Sequence, residues 1–569
     1  MPVKIIQSDY IVLGIEEHFK VLAGPGAGKT HFLINHIKNL LNHSKRLHIQ
    51  RKIACITYTN VATENILLRV GGHGGRLEIS TIHSFLYKYI VKPYVHLIAG
   101  DFNLDAAKID GHDEILFSGY SFISEWKTRT KQPYLADKDI INAWETLRWK
   151  FDKAGQLSVS PRYPAKSGTY FFKSDSFLEY KKMVWEKGLL HHDDVLFFSH
   201  ELATRLPFVL EVLRSIFPYF LIDEFQDTSP IQIKLLNLIA QKETIVGAIG
   251  DEAQSIYSFL GAEPGQLSGF SLPGMQDYEI QDNHRSSIEI VELLNKLRPG
   301  LVQRSIRNIN MSGVHMVVGD RVAALQWTMT QYPGAELVTL SRDNLTANAI
   351  KKGIGVGVYK DLLNELKSND SNSTRRGAIK NSTKAVEYAR MGYFKDALKT
   401  MGKLYNYSKT AYDKKRALKS LKVLLDNYTA FAGKKVMDLY SLINTTGIET
   451  LAKFKAGAAK TFYENTDYDH MALAVKNIYE AGNHRTIHKS KGEEFEAVMV
   501  VMETDDKGRF DEAKELGFLL TPNLTDEEEH RVRYVAVSRS KDHLVIRVPA
   551  LSQTTTTIIT ALGITVKLV

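Results

Sequence analysis

The chain carries a single cysteine, Cys55, in 569 residues. One thiol excludes disulfide frameworks, iron–sulfur clusters and cysteine zinc sites, and it fits a reducing, cytosolic compartment. No run approaches the roughly 20 apolar residues of a membrane span, so no membrane association is expected. The first apolar stretch is broken by charges, so no secretory leader is expected either. No cluster of Asp, Glu and Lys outside the motifs below would build a two-metal nuclease centre, and no convincing internal repeat is present. What the chain does have is length enough for three or four domains, with an ordinary globular composition of 44% apolar and 24% charged residues.

The net charge of +9 is modest but unevenly spread. Residues 351–460 hold 23 Lys and Arg against 9 Asp and Glu, a local net of +14, which leaves −5 for the rest of the chain. A basic module on a slightly acidic body suggests a polyanionic partner. The alternative is a solvated lysine-rich helical surface.

Apolar strand-like runs alternate with helical periods over residues 18–84 and again over 190–280, as in a doubly wound parallel sheet. Residues 86–190, rich in aromatics with Gly and Pro punctuation, read as an inserted and largely helical subdomain. A second α/β unit starts near Tyr278, is interrupted around residue 350 and resumes at about 484. The interruption opens with the polar stretch Lys367 to Thr374, then shows helical periods such as Ala385, Tyr388, Ala389 and Leu418, Leu421, Leu424, Leu425. The expected organisation is a first core from 1–85 and 191–280 carrying an insertion at 86–190. A second core from 281–349 and 481–569 carries a reduced basic helical insertion at 350–480.

Residues 21–30, Val-Leu-Ala-Gly-Pro-Gly-Ala-Gly-Lys-Thr, form an apolar strand entering a glycine-rich loop and then a helix. Gly24, Gly26 and Gly28 allow positive φ and bring backbone N–H groups close to phosphate oxygens. Lys29 adds a cation for the β- and γ-phosphates, and the Thr30 hydroxyl is placed for Mg²⁺. The helix starting at His31 points its N-terminus at the same phosphates. The segment Ala23, Gly24, Pro25, Gly26, Ala27, Gly28, Lys29, Thr30 and His31 is thus the candidate ATP phosphate cradle. The general pattern begins with Gly where this chain has Ala23. A chance glycine-rich turn is the alternative for the loop in isolation.

A second signature counts against that alternative. Phe220-Leu221-Ile222-Asp223-Glu224 is an apolar strand ending in paired acids. A carboxylate at the C-terminal end of such a strand holds Mg²⁺ through water, which suits Asp223. Glu224 is then placed to deprotonate the water that attacks the γ-phosphate.

The run Asp223 to Thr228 together with the phosphate loop resembles the UvrD/Rep/PcrA branch of superfamily 1A helicases, whose loop also begins with Ala. Other motifs follow in the family's order. Thr57-Tyr58-Thr59-Asn60 and Thr81-Ile82-His83-Ser84 resemble its first two DNA-contacting motifs, and Gly250 to Tyr257 the segment linking hydrolysis to DNA. Asn283-His284-Arg285-Ser286, Leu340 to Asn344, His488 to Phe495, and Glu528 to Arg531 with Tyr534 to Arg539 resemble the later ones.

The resemblance implies an α/β fold of two RecA-like cores with parallel sheets, each with a mainly helical insertion (the 1A/1B/2A/2B plan). It implies ATP with Mg²⁺ in a cleft between the cores, and 3′ to 5′ movement on single-stranded or partly duplex DNA. Arg285 and Arg539 would reach the γ-phosphate from the second core, and Gln254 would sense it. Glu494 would bind the ribose and His284 would stack on adenine. Gln7 is either the adenine-reading glutamine or a surface glutamine. Tyr58, Tyr257, Phe259 and His83 are candidates for base stacking, although core packing is an equal alternative for Phe259. Thr57, Thr59, Asn60, Thr81 and His488 are candidates for other contacts along the DNA.

Four positions depart from the pattern. Val61 replaces a lysine, Leu260 an arginine, His284 a tyrosine and Glu493 a leucine. Losing two cations should weaken the grip on a single strand. In size and layout the chain also resembles the helicase subunit of the Gabija antiphage system, which works beside an OLD-family nuclease. Three functions follow for testing: a DNA translocase and helicase, a nucleotide-gated sensor subunit regulating a nuclease partner, and an RNA helicase.

Overall fold

The computed structural model describes residues 3–10, 14–48, 50–58, 60–71, 75–112, 119–311, 313–351, 353, 362–405, 411–475, 482–505 and 508–569. The chain divides into two compact units, residues 1–309 with 522–538 and residues 310–521 with 539–569.

The first unit is built on seven strands: β1 (Lys4–Ile6), β2 (Phe19–Ala23), β3 (Ile53–Thr57), β4 (Leu77–Thr81), β5 (Tyr219–Ile222), β6 (Ile245–Gly250) and β7 (Gln276–Ile280). Their order across the sheet is β1-β7-β2-β6-β5-β3-β4, parallel throughout. Parallel pairing needs crossovers that lay helices over both faces, so the central strands are apolar without alternation. Every residue of β3, β5 and β6 is buried. The helix after β2, α1 (Lys29–His43), buries Phe32, Leu33, Ile37 and Leu40 along one stripe.

Between β4 and β5 lies the aromatic insertion, whose helices include Tyr120–Thr130, Ser176–Trp185 and His192–Arg205, with an antiparallel hairpin of Leu147–Phe151 and Leu157–Pro161. Trp126, Trp149, Trp185 and Phe197 are buried in its core, and the Trp149 and Phe197 rings stack at 3.9 Å. One carboxylate organises this core. Asp194, fully buried, accepts from the indole N–H groups of Trp149 and Trp185 at 3.0 Å each and pairs with buried Lys181 at 2.8 Å. Burial alone would push the Asp194 carboxyl up, but Lys181 and His191 hold it well below the usual carboxylate range.

Residues 281–309 and 522–538, expected from sequence in the second core, group with the first unit. A parallel pair of short strands, Asp282–Asn283 and Arg304–Ser305, precedes and follows the helix Ile288–Leu297. The helix Glu528–Val537 is tied to the end of β6: Arg531 Nε donates to the Ser255 carbonyl at 2.7 Å, and Ser258 N–H donates to Glu528 at 3.2 Å. These bonds run between segments some 270 positions apart, which no local pattern in the sequence reports.

The second unit holds six parallel strands: β8 (Val314–Val318), β9 (Leu337–Ser341), β10 (His484–Thr486), β11 (Phe495–Val501), β12 (Ser540–Val548) and β13 (Ile564–Leu568). Their order is β10-β9-β11-β12-β8-β13. Between β9 and β10 a set of helices forms its own core around Ile379, Leu439, Tyr463 and Tyr468. Buried Asp370 fastens it, pairing with Arg375 at 2.5 Å and accepting from the Tyr463 hydroxyl at 2.8 Å. Of the leucines in the 418–425 period, Leu421 and Leu424 are buried and Leu418 is exposed. Two parallel α/β cores, each interrupted by a mainly helical segment, are the fold class expected. Among the described residues no helix is long and apolar enough to cross a membrane.

Candidate nucleotide-binding site

The loop Gly24–Gly28 joins the C-terminal end of β2 to α1, in the middle of the first sheet. Gly26 and Gly28 have φ of 70° and 82°, the left-handed region that side chains resist. Space forbids a side chain as firmly. A Cβ on Gly26 would stand 2.7 Å from Arg285 Cβ and from Asn283 Oδ1, and one on Gly28 would stand 2.7 Å from Ser8 Cβ. The loop backbone is therefore bare and closely flanked, which suits amides that approach phosphate oxygens.

Lys29 opens α1 and folds back so that Nζ donates to the carbonyls of Ala23 at 3.1 Å and Gly24 at 3.3 Å. Burial lowers its pKa, while Glu224, Asp251 and Asp223 pull it back up and Arg285 opposes them. Asp223 and Asp251 follow β5 and β6, so both acids sit at the C-terminal edge of the sheet beside the loop.

Glu224 is one of four non-glycine residues with positive φ among those described, at 52°. A left-handed glutamate costs about 1–2 kcal/mol, and such strain persists where the surroundings impose it. Here the Asp223 carboxylate accepts from Glu224 N–H at 3.0 Å, and Gln226 Nε2 donates to the Glu224 carboxylate. Gln226 Oε1 in turn accepts from Asp251 N–H at 2.8 Å. Gln254, 3% exposed, donates to Asp251 at 2.6 Å, and Arg298 pairs with the same carboxylate at 2.5 Å.

The opposite wall of the loop comes from the 283–305 segment. Asn283 Nδ2 and Gln303 Nε2 both donate to the Pro25 carbonyl, at 3.0 and 3.1 Å, and His284 N–H donates to the Gly26 carbonyl at 2.9 Å. Asn283 Oδ1 accepts from the N–H groups of Arg285 and Ser286 at 2.9 Å each. Arg285, expected to act from a second core, belongs to the first unit, where Nη1 donates to the Ser538 carbonyl at 3.0 Å. The His284 ring is exposed and its Nε2 lies 3.2 Å from Ser8 Oγ. Gln7 is exposed beside Ser8, so the segment after β1 borders the loop. His31 is exposed on the first turn of α1 with its ring on Asn35.

The residues fit a triphosphate. A glycine cradle that a Cβ would fill, one half-buried lysine and acids at the strand ends supply the groups that ATP and its metal need. Asp223 and Thr30 would hold Mg²⁺, a carboxylate and a hydroxyl being the few protein ligands this ion takes beside phosphate and water. Asn283, Gln303 and Arg298 were missed as wall residues. Asn283 lies inside a recognised motif, whereas Gln303 and Arg298 carry no local signal and arrive through tertiary packing.

The candidate DNA residues of the first unit are mixed. Tyr58 and Tyr257 stack on each other with centroids 4.8 Å apart and planes within 14°, and Phe259 meets Tyr257 edge-on at 5.8 Å. Burial raises the Tyr58 pKa, helped by Asp227. Thr57 is buried, with its hydroxyl on Thr63 at 2.8 Å. Thr81 caps the helix Ile82–Leu86. The His83 ring lies against His192 at 5.9 Å, and burial with the neighbouring His192, His112 and Arg148 pushes its pKa down to about 3, so it is neutral at physiological pH. Thr59 and the side chains of Asn60, Val61 and Leu260 lie outside the described residues.

Three predicted residues belong to the second unit. Glu494 pairs with Lys541 at 2.9 Å. His488 is half-buried on the short helix Ile487–Ser490. Arg539 is 2% exposed, with Nη1 donating to the Glu493 carbonyl at 3.3 Å. Glu493 makes a two-oxygen ion pair with Arg485 at 2.9 and 2.8 Å.

A glycine loop feeding a helix from a central parallel strand, with acids on the next two strands, defines a P-loop nucleotide-binding core. Over residues 6–272 the chain matches the UvrD/REP helicase N-terminal domain, and over 278–549 the UvrD-like helicase C-terminal domain; it belongs to the UvrD-like helicase family. It is similar to ATP-dependent DNA helicase Rep of Buchnera aphidicola, 28% identical over 49% of this chain and 41% of that protein. DNA helicase II of Salmonella typhimurium is 27% identical over 49% of this chain and 38% of its own. YjcD of Bacillus subtilis is 25% identical over 93% of this chain and 76% of its own. The chain thus covers less than half the length of the matched Rep and DNA helicase II.

Proposed function

We propose that this chain hydrolyses ATP and uses the energy to move 3′ to 5′ along single-stranded DNA, displacing a paired strand as it goes. The observation that carries the reading is the glycine loop that runs from a central parallel strand into α1, with Lys29 at its end and Asp223, Glu224 and Asp251 following the two neighbouring strands β5 and β6. Lys29 and the loop amides bind the β- and γ-phosphates. Glu224 takes a proton from the attacking water. Arg285 offsets the charge that develops on the transferred group, an effect worth several orders of magnitude in related chemistry. Asp223 and Thr30 would hold Mg²⁺, which would neutralise charge on the phosphate oxygens.

The test is steady-state ATP hydrolysis with and without an oligothymidylate. Turnover that rises with DNA and vanishes in Lys29→Ala supports the reading. Turnover that stays flat on adding DNA, with the loop intact, removes it.

A second reading is favoured by Val61 and Leu260, apolar residues at two positions where the motif resemblance leads one to expect cations. In it the chain is a nucleotide-state sensor that regulates a partner nuclease of the OLD family in antiviral defence, with little unwinding. A strand-displacement assay separates the two, since the sensor hydrolyses ATP without releasing an oligonucleotide.

A further inference from the structure

The aromatic insertion carries a feature that none of the motifs absorbs. Residues 162–173, Arg-Tyr-Pro-Ala-Lys-Ser-Gly-Thr-Tyr-Phe-Phe-Lys, contain four aromatic rings and three cations with no acid among them. They form a two-stranded antiparallel hairpin, Lys166–Ser167 with Tyr170–Phe171, turning at Gly168 with φ 59°. Three of its rings face solvent: Tyr163 is 66%, Tyr170 55% and Phe171 62% exposed. A fourth exposed ring, Tyr134, lies against Tyr170 with centroids 4.8 Å apart. The cations stand over the rings: Lys166 Nζ is 4.4 Å from the Phe171 centroid, and the Arg162 guanidinium 5.4 Å from that of Tyr163.

The hairpin is held rigidly from below. Phe172 packs into the insertion core, stacking on Phe177 at 5.8 Å. Ser167 Oγ accepts from Ala136 N–H at 2.9 Å, and buried Gln132 accepts from Lys173 N–H at 2.9 Å. Exposed aromatic side chains cost solvation free energy, and this patch keeps them exposed on a backbone fixed by buried anchors. Scattered apolar surface residues need no explanation, but three exposed rings within nine residues do, with a fourth against Tyr170 and a cation over each of Tyr163 and Phe171.

We propose that this hairpin is a second binding surface for unpaired nucleotides, outside the candidate DNA-contacting motifs described above. Ring faces open to solvent stack on bases whose own faces are open, which a continuous duplex does not offer. Lys166, Arg162 and Lys173 supply the phosphate contacts, and the absence of acid in the segment fits a polyanion better than a mixed-charge protein surface. A contact here also compensates for the cations that Val61 and Leu260 do not provide. The proposal rests on nucleic acid being a ligand of this chain.

The test uses the full chain and an oligothymidylate containing 4-thiothymidine, irradiated and mapped by mass spectrometry, together with equilibrium binding of Tyr170→Ala/Phe171→Ala. The proposal predicts crosslinks within 162–173 and an affinity loss of roughly tenfold or more, the scale of lost base stacking. It predicts no comparable loss on a blunt duplex. A circular dichroism spectrum and melting point like those of the wild type are expected, because the replaced rings are exposed. Wild-type affinity in the folded variant with no crosslink in this segment overturns the proposal and leaves DNA binding elsewhere intact, as a patch serving a protein partner would. Failure of the wild-type chain to bind the oligonucleotide at all overturns both this proposal and the proposed function.

Discussion

Replacing Gly26 by alanine tests whether the phosphate loop is set by its wall. The new Cβ meets Asn283 Oδ1 and Arg285 Cβ at 2.7 Å, so one side has to give by about 0.7 Å to reach ordinary contact. Asn283 cannot move freely, because its amide holds Pro25, Arg285 and Ser286 through three hydrogen bonds of 2.9–3.0 Å. Loosening these at about 0.5–1.5 kcal/mol each adds to the roughly 1–2 kcal/mol of a left-handed alanine. The sum is about 2.5–6.5 kcal/mol, a fall in melting temperature of several degrees or more. Displacement of this size at a reacting group costs on the order of 100-fold in rate. Gly155 is the control: its φ of 76° imposes the same backbone strain, yet among the described residues nothing lies within 4 Å of its Cβ position. Gly155→Ala should therefore cost only the strain and leave ATP turnover unchanged. Thermal melting and steady-state ATPase on both variants decide the matter. If Gly26→Ala matched Gly155→Ala in both readouts, the close approach of Asn283 and Arg285 to the loop would be wrong.

Other outcomes follow from the same contacts. Glu224→Gln should retain ATP binding while turnover falls by about 100-fold or more, as expected for loss of a general base; filter binding and hydrolysis measured together check this. Asp194→Leu leaves the buried Lys181 ammonium and two indole N–H groups without their acceptor, and should cost about 3–5 kcal/mol by chemical denaturation. Because the Asp194 pKa is depressed by folding, its contribution is present above the unfolded value near 3.9 and is lost as pH falls towards the folded value. The wild-type chain should accordingly lose melting temperature between about pH 5 and pH 3, and Asp194→Asn should flatten that slope. Lys414, Lys415 and Lys419 are exposed on the helix Ala411–Asp426. Replacing all three with alanine should lower the salt slope of oligonucleotide binding by about 2 if each meets a phosphate, at about 0.7 per contact. An unchanged slope would mark this face as merely solvated.

What was legible from sequence was local. The loop at 24–30 and the strand before Asp223 each complete a pattern within ten residues, so glycine spacing and apolar runs expose them. The parallel cores follow because buried parallel strands such as Tyr219–Ile222 are apolar without alternation. What stayed hidden is assembled across distance. Gln303 reaches the Pro25 carbonyl from 278 positions away, and nothing in the residues around it distinguishes it from a surface glutamine. The grouping of 281–309 and 522–538 with the first unit depends on contacts such as Arg531 on Ser255, a pairing no periodicity records. The self-stacking of Tyr58 and Tyr257 was hidden in the same way. Each looks like an open base-stacking platform in its own motif, and only the folded chain brings the two rings together.

The central claim is that hydrolysis at Lys29 and Glu224 drives directed motion on DNA. Single-turnover stopped-flow on oligothymidylates labelled at one end tests it most directly. The account predicts an arrival signal at a 5′ label whose lag lengthens in proportion to oligonucleotide length, absent from a 3′ label and absent in Glu224→Gln. A signal independent of length at both ends, with ATP still being hydrolysed, would contradict it.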